Sequence, residues 1–94
     1  MSRYAILIPT RNRPQKVIEL LKSITSSTIK PKQIVIVASG VDIAFQLDSF
    51  NSTLPITYQH TEISGQINQK RLGITLLEAG IEWCVFMDDD FKLD

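Results

Sequence analysis

Four short apolar runs, each too short for a helix and each followed by a loop, constrain this chain more than any other feature. Tyr4-Ala5-Ile6-Leu7-Ile8, Gln33-Ile34-Val35-Ile36-Val37-Ala38 and Trp83-Cys84-Val85-Phe86-Met87 are continuous rather than alternating. Strands buried on both faces read this way. Ile56-Thr57-Tyr58-Gln59 is weaker and sets Ile56 and Tyr58 on one side, which suits a less buried edge strand.

The intervening segments carry the helical period. Pro9 closes the first run, and Pro14 suits the first helical position, where a missing N–H is no loss. Val17, Ile18, Leu20, Leu21 and Ile24 then share one helix face, which Ser26-Ser27-Thr28 and Pro31 stop. Asp42 is placed to cap a short helix with Ile43, Ala44, Leu47 and Phe50 on one side. Ser64 is placed to cap a longer one along which Ile67, Ile74, Leu77 and Ile81 line up. In that segment Gly73 would allow close approach to a sheet, and Gly80 would end the helix as a left-handed residue.

The order is therefore βαβαβαβ, an α/β, Rossmann-like chain whose parallel sheet carries helices on both faces. Right-handed crossovers give strand order 3-2-1-4 most simply. Strands one and four then flank the switch point, and ligands of open parallel sheets sit outside the carboxyl ends of the strands there. The 94 residues make one small domain, with no linker and no internal repeat.

Net charge is zero and the sequence pI is about 6.6, so the global balance favours neither nucleic acid nor a membrane surface. The charges are unevenly placed, however. Arg3, Arg11, Arg13, Lys16, Lys22, Lys30 and Lys32 crowd the first third, and Glu82, Asp88, Asp89, Asp90 and Asp94 crowd the end. The single cysteine, Cys84, lies inside an apolar run, which excludes a disulfide within the chain and reads as core rather than nucleophile. No stretch nears the ~20 apolar residues of a membrane span, and no signal-peptide pattern opens the chain. The expected location is cytoplasmic.

The acidic run Asp88-Asp89-Asp90 follows the fourth strand without a turn residue. Adjacent carboxylates repel, and either water or a divalent cation relieves them. A solvated acidic turn is the bland reading. Convergence at the switch point favours the other, because the loop after Pro9, with Arg11 and Arg13, and the Lys70-Arg71 pair would meet the carboxylates there. Asp-Xaa-Asp spacing can present hard oxygen ligands to Mg²⁺ or Mn²⁺, which keep positions open for phosphates. No Gly-Xaa-Gly-Xaa-Xaa-Gly follows the first strand and no Gly-Lys-Ser/Thr occurs, which disfavours dinucleotide binding and Walker-type hydrolysis. An Asp-Xaa-Asp phosphohydrolase is also disfavoured, since Pro9 stands where its nucleophile would end the first strand.

Ile8-Pro9-Thr10-Arg11-Asn12-Arg13-Pro14 resembles the Pro-Thr-(aromatic)-Asn-Arg opening of nucleotide-sugar glycosyltransferases of the GT-A fold, family 2. The likeness runs the length of the chain. The run from Gly65 to Gly73-Ile74 resembles the family's Gly…Arg-Asn-Xaa-Gly-Ile helix, and Phe86-Met87-Asp88-Asp89-Asp90 resembles its Phe-Leu-Asp-Asp-Asp metal motif. By position, the resemblance implies that Pro9, Thr10 and Asn12 border the nucleobase, with Arg13 nearby. It implies Lys70 or Arg71 at the base or diphosphate, Asp88 at the ribose or metal, and Asp90 at the metal, with Mn²⁺ or Mg²⁺ as cofactor. The implied ligand is a nucleoside-diphosphate sugar, most simply a UDP-sugar.

The departures bear on that implication. The family's second strand leads into Asp-Asp-Gly-Ser, whose first acid reads uracil, but Ala38-Ser39-Gly40-Val41 keeps only the glycine. Arg11 replaces an aromatic, and Lys70-Arg71-Leu72 replaces Arg-Asn-Xaa. His60 does not substitute for a catalytic base, since a lone imidazole at the end of a weak strand reads as structural or exposed. The acceptor site and base belong to a second half in this family, so the expectation is a truncated donor-binding domain, half of a GT-A domain, over residues 1–94. The alternative is a non-catalytic Rossmann-like binding or self-assembly domain. An exposed fourth strand would pair as a homodimer in either case.

Overall fold

The computed structural model describes residues 3–28, 31–63 and 65–87, and for residue 66 the backbone alone. In chain order the elements are β1 (Tyr4–Arg11), α1 (Pro14–Ser26), β2 (Gln33–Ser39), α2 (Ala44–Leu47) running into a 3-10 turn (Asp48–Phe50), β3 (Ile56–Thr61), α3 (Gln66–Thr75) and β4 (Trp83–Phe86). All pairings are parallel, in the order β3-β2-β1-β4. This is the order that right-handed crossovers predict.

β1 and β2 are central, and their side chains alternate between two packed faces. Ile6, Ile8, Ile34, Ile36 and Ala38 bury against Val17, Leu20, Leu21 and Ile24 of α1 and against Ile43 and Leu47. Leu7, Val35 and Val37 on the opposite face bury against Leu72, Leu76, Leu77 and Cys84. Continuous apolar runs are what a sheet covered on both faces demands. Ile56 and Tyr58 of the edge strand β3 pack together on the α1 side, as their alternation predicts.

β1 does not stop at Pro9; it runs through Thr10 to Arg11, paired with β2 up to Arg11↔Ser39. The register explains how a proline sits inside a central strand. The Leu7 carbonyl accepts the Met87 N–H at 3.0 Å, so Leu7 and its alternate neighbour Pro9 turn their backbone groups toward β4. The missing N–H therefore leaves the β2 ladder intact and denies β4 its next rung. The β1–β4 pairing closes at Leu7↔Phe86.

α3 departs from expectation in length and in rotation. It ends at Thr75, and Gly80, at φ +92°, belongs to a later turn before β4. Ile67 and Ile74 are 70% and 50% exposed. The buried face is Gln69, Leu72 and Gly73, continued by Leu76, at the i, i+3, i+4, i+7 spacing of one helix side. Gly73 decides this rotation: a Cβ there would lie 2.5 Å from Leu7 Cδ1 and 2.8 Å from its Cγ. Ser64, expected as the cap, lies outside the described residues; Gly65 occupies the N-cap position with no side-chain cap bond.

β4 also differs from a strand buried on both faces. Trp83, Val85 and Phe86 are exposed, and Cys84 and Met87 turn inward. Burial pushes the Cys84 thiol pKa up, which keeps it protonated and fits the core reading.

Candidate functional site

The carboxyl ends of β1 and β2 are bound together from above by α3. The Gln69 side chain is buried, and its Nε2 donates to the Thr10 carbonyl at 2.8 Å and to the Val37 carbonyl at 2.9 Å. One amide thus ties the first turns of α3 to both central strands where they end. Thr10 is buried beside it, as is Ser39 on the α3 face of the sheet. Among the described residues, Ser39 Oγ is a buried side-chain atom with no hydrogen-bond partner.

The loop after β2 is held by side chains from three directions. Asn12, just past β1, adopts a left-handed φ of +55°, a conformation asparagine tolerates better than most residues. Its Oδ1 accepts the Val41 N–H at 2.8 Å. Gly40 has φ +77°, and a Cβ on it would collide with the Asn12 amide. From β3, His60 Nε2 lies 2.7 Å from the Gly40 carbonyl; a carbonyl only accepts, so this nitrogen carries the proton. The Tyr58 hydroxyl accepts the Ile43 N–H at 2.9 Å and donates to Asp42 Oδ1 at 2.7 Å. Asp42 Oδ1 also accepts the Ala44 N–H at 3.0 Å, but Ile43 holds the N-cap position of α2 with no side-chain cap bond. Asp42 therefore grips the helix start from one residue before the cap rather than as the cap expected from the sequence.

The ionisations follow from these contacts. Burial, and then donation to Asp42, push the Tyr58 phenol up to about 12. Accepting the Tyr58 hydroxyl holds the Asp42 carboxyl below its ordinary value.

On the other side of β1 the Lys70 Nζ lies 5.2 Å from the centroid of the Phe86 ring, a cation–π contact joining α3 to the end of β4. It places a cation beside the strand that leads into the acidic run. Asp88 and Asp90 themselves lie outside the described residues. Among the described residues no group of three or more His, Cys, Asp or Glu side chains is arranged to hold a metal ion.

Of the residues singled out from the sequence, the structure brings Pro9, Thr10 and Asn12 to the end of β1 and Lys70 to the β1–β4 side of the same sheet edge. Arg11, Arg13 and Arg71 are exposed. The Asn12 carbonyl oxygen serves the neighbouring loop. Sequence reasoning missed Gln69, Tyr58 and the role of His60. A glutamine amid helical residues gives no signal of burial, but its place four residues before Gly73 puts it on the same helix face.

A sequence model of the family described as Glycosyl transferase family 2 matches residues 5–94. Among solved structures, S. aureus TarS is similar, with 22% identity and a TM-score of 0.79 over 94% of this chain and 16% of that one. S. aureus TarS 1-349 in complex with UDP matches at 22% identity and TM-score 0.79, over 94% of this chain and 27% of that one. The same protein in complex with UDP-GlcNAc gives 22% and 0.76, over 94% and 26%. This chain thus spans between 16% and 27% of the length of those structures. No curated protein matches. No helix among the described residues is long and apolar enough to cross a membrane.

Proposed function

This chain belongs to glycosyl transferase family 2, and on that premise we propose that it is the donor-binding portion of a metal-dependent glycosyltransferase. The enzyme transfers a sugar from a nucleoside-diphosphate sugar to an acceptor hydroxyl. The observation that carries this reading is the convergence at one sheet edge of the β1 end, the β2 loop and the start of α3, tied by Gln69. That edge is where open parallel sheets bind ligands. A UDP-sugar is the favoured donor, since the similar S. aureus TarS structures hold UDP and UDP-GlcNAc.

Pro9, Thr10, Asn12 and Arg13 form the nucleobase side. Lys70 or Arg71 approaches the base or diphosphate, and Asp88 the ribose or metal. Asp88 and Asp90 are the metal ligands, and carboxylate oxygens fit the preference of Mn²⁺ or Mg²⁺. Such an ion supplies Lewis-acid stabilisation of charge on the leaving diphosphate. Lys70, oriented by Phe86, adds positive charge on the same side. No catalytic base is assigned within these residues.

The test is calorimetric titration of the chain with UDP, GDP and dTDP, with and without Mn²⁺, against an Asp90→Ala variant. Metal-dependent binding of one nucleotide, lost in the variant, is expected. A folded chain that binds none of them overturns the reading.

A second reading is favoured by the exposed apolar residues of the β4 edge, Trp83, Val85 and Phe86. Exposed strand edges of this kind pair with a second copy. A homodimer through β4 is compatible with donor binding, and it is the whole function if nucleotide binding fails.

A further inference from the structure

Tyr58 and His60 lie on the edge strand β3, with β2 between them and the β1–β4 switch point. Neither belongs to a motif read from the sequence. Yet each spends its polar atom on the backbone of residues 40–43. His60 Nε2 donates to the Gly40 carbonyl at 2.7 Å, and the Tyr58 hydroxyl accepts the Ile43 N–H at 2.9 Å. Asn12 takes the Val41 N–H between them at 2.8 Å. Three anchor points, at residues 40, 41 and 43 of a four-residue loop, leave it little freedom. A loop that only connected strand to helix would not need them, because exposed backbone groups are satisfied by water.

The loop's place says what the rigidity serves. The acidic run leaves from β4, and residues 40–43 follow β2, two strand spacings or roughly 10 Å away along the same edge. A nucleoside diphosphate with its phosphates at the β4 end extends its base toward this loop. Val41, 52% exposed at the middle of the loop, offers an apolar surface there for a base to pack on.

We propose that His60 and Tyr58 are positioning residues for the nucleotide base, acting by holding loop 40–43 in its base-receiving conformation. The inference rests on the donor-binding reading. Its chemistry is preorganisation: a wall already fixed loses no conformational entropy when the ligand arrives.

The experiment compares the chain with His60→Ala, His60→Gln and Tyr58→Phe, measuring affinity for UDP and for inorganic pyrophosphate in the presence of Mn²⁺. Thermal midpoints are followed in parallel. Gln places an amide N–H near the position of the imidazole Nε2–H, so it keeps the bond to Gly40. The expected result is roughly fivefold to tenfold weaker UDP binding for His60→Ala, the equivalent of one hydrogen bond lost. Recovery in His60→Gln and unchanged pyrophosphate binding throughout complete the expected pattern. A merely structural role would weaken both ligands in step with the thermal midpoint, and that outcome overturns the proposal. Equal UDP affinity in His60→Ala and the unaltered chain overturns it too, while leaving the donor-binding reading intact. If the unaltered chain binds pyrophosphate but not UDP, or neither, the donor-binding reading falls first and the base-positioning role with it.

Discussion

At the scale of single residues, the site is set by groups whose neighbours leave them no alternative. Gly40 is required twice over, by its positive φ and by the Asn12 amide lying where a Cβ would go. Gly73 is required by contact alone. Gly73→Ala should force the Leu7 side chain or α3 to shift and destabilise the fold by about 1–3 kcal/mol, the usual cost of overpacking a filled core. Urea denaturation reads that loss, and an unchanged midpoint would show that α3 moves freely. Tyr58 gives a pH prediction. Its folded pKa is raised to about 12 from an ordinary 10.0, so the folded state keeps a proton that the unfolded chain releases. The stabilisation is complete below pH 10 and is lost as pH rises toward about 12. Alkaline unfolding curves should steepen over that interval, and Tyr58→Phe should flatten them.

At the scale of elements, the strands were legible in the sequence and the details of α3 were not. Apolar runs without alternation have few solutions other than a covered parallel sheet, and all four runs start at the residue where the observed strand starts. The third helix defeated periodicity because its buried face holds Gln69 and Gly73, neither of which registers as apolar. Ile67 and Ile74 drew the inferred face to the wrong side. Pro9 misled in a similar way. A proline usually ends a strand, but whether it does depends on which neighbour its N–H would have met, and that is a matter of register. Here the register spares the β2 pairing and closes the β4 pairing at Phe86, two residues before the acidic run. The candidate site divides along the same line. Pro9, Thr10, Asn12 and Lys70 are singled out by the resemblance to the family's motifs, whereas Gln69, Tyr58 and His60 act through contacts 15 to 59 residues away in sequence.

At the scale of the whole molecule, the sheet has two edges of different character. β3 is half-buried and carries polar residues, and β4 is short and apolar outward, with Trp83 65% exposed. Trp83 is the only tryptophan, so its emission reports on this edge alone. If β4 pairs with a second copy, light scattering shows a dimer and Trp83 emission shifts to the blue as concentration rises. A monomer with unshifted emission at high concentration would exclude that pairing. By itself the sequence determined the class of fold and the strand order. Hydrophobic period is written along the chain and crossover handedness follows from strand twist, so neither depends on which particular side chains meet. Only the tertiary structure decided how α3 is turned, where the β1–β4 ladder closes and which side chains hold loop 40–43. Those depend on the meeting of particular atoms: a glycine against Leu7, an amide over two carbonyls, an imidazole on Gly40. No period in the chain records them.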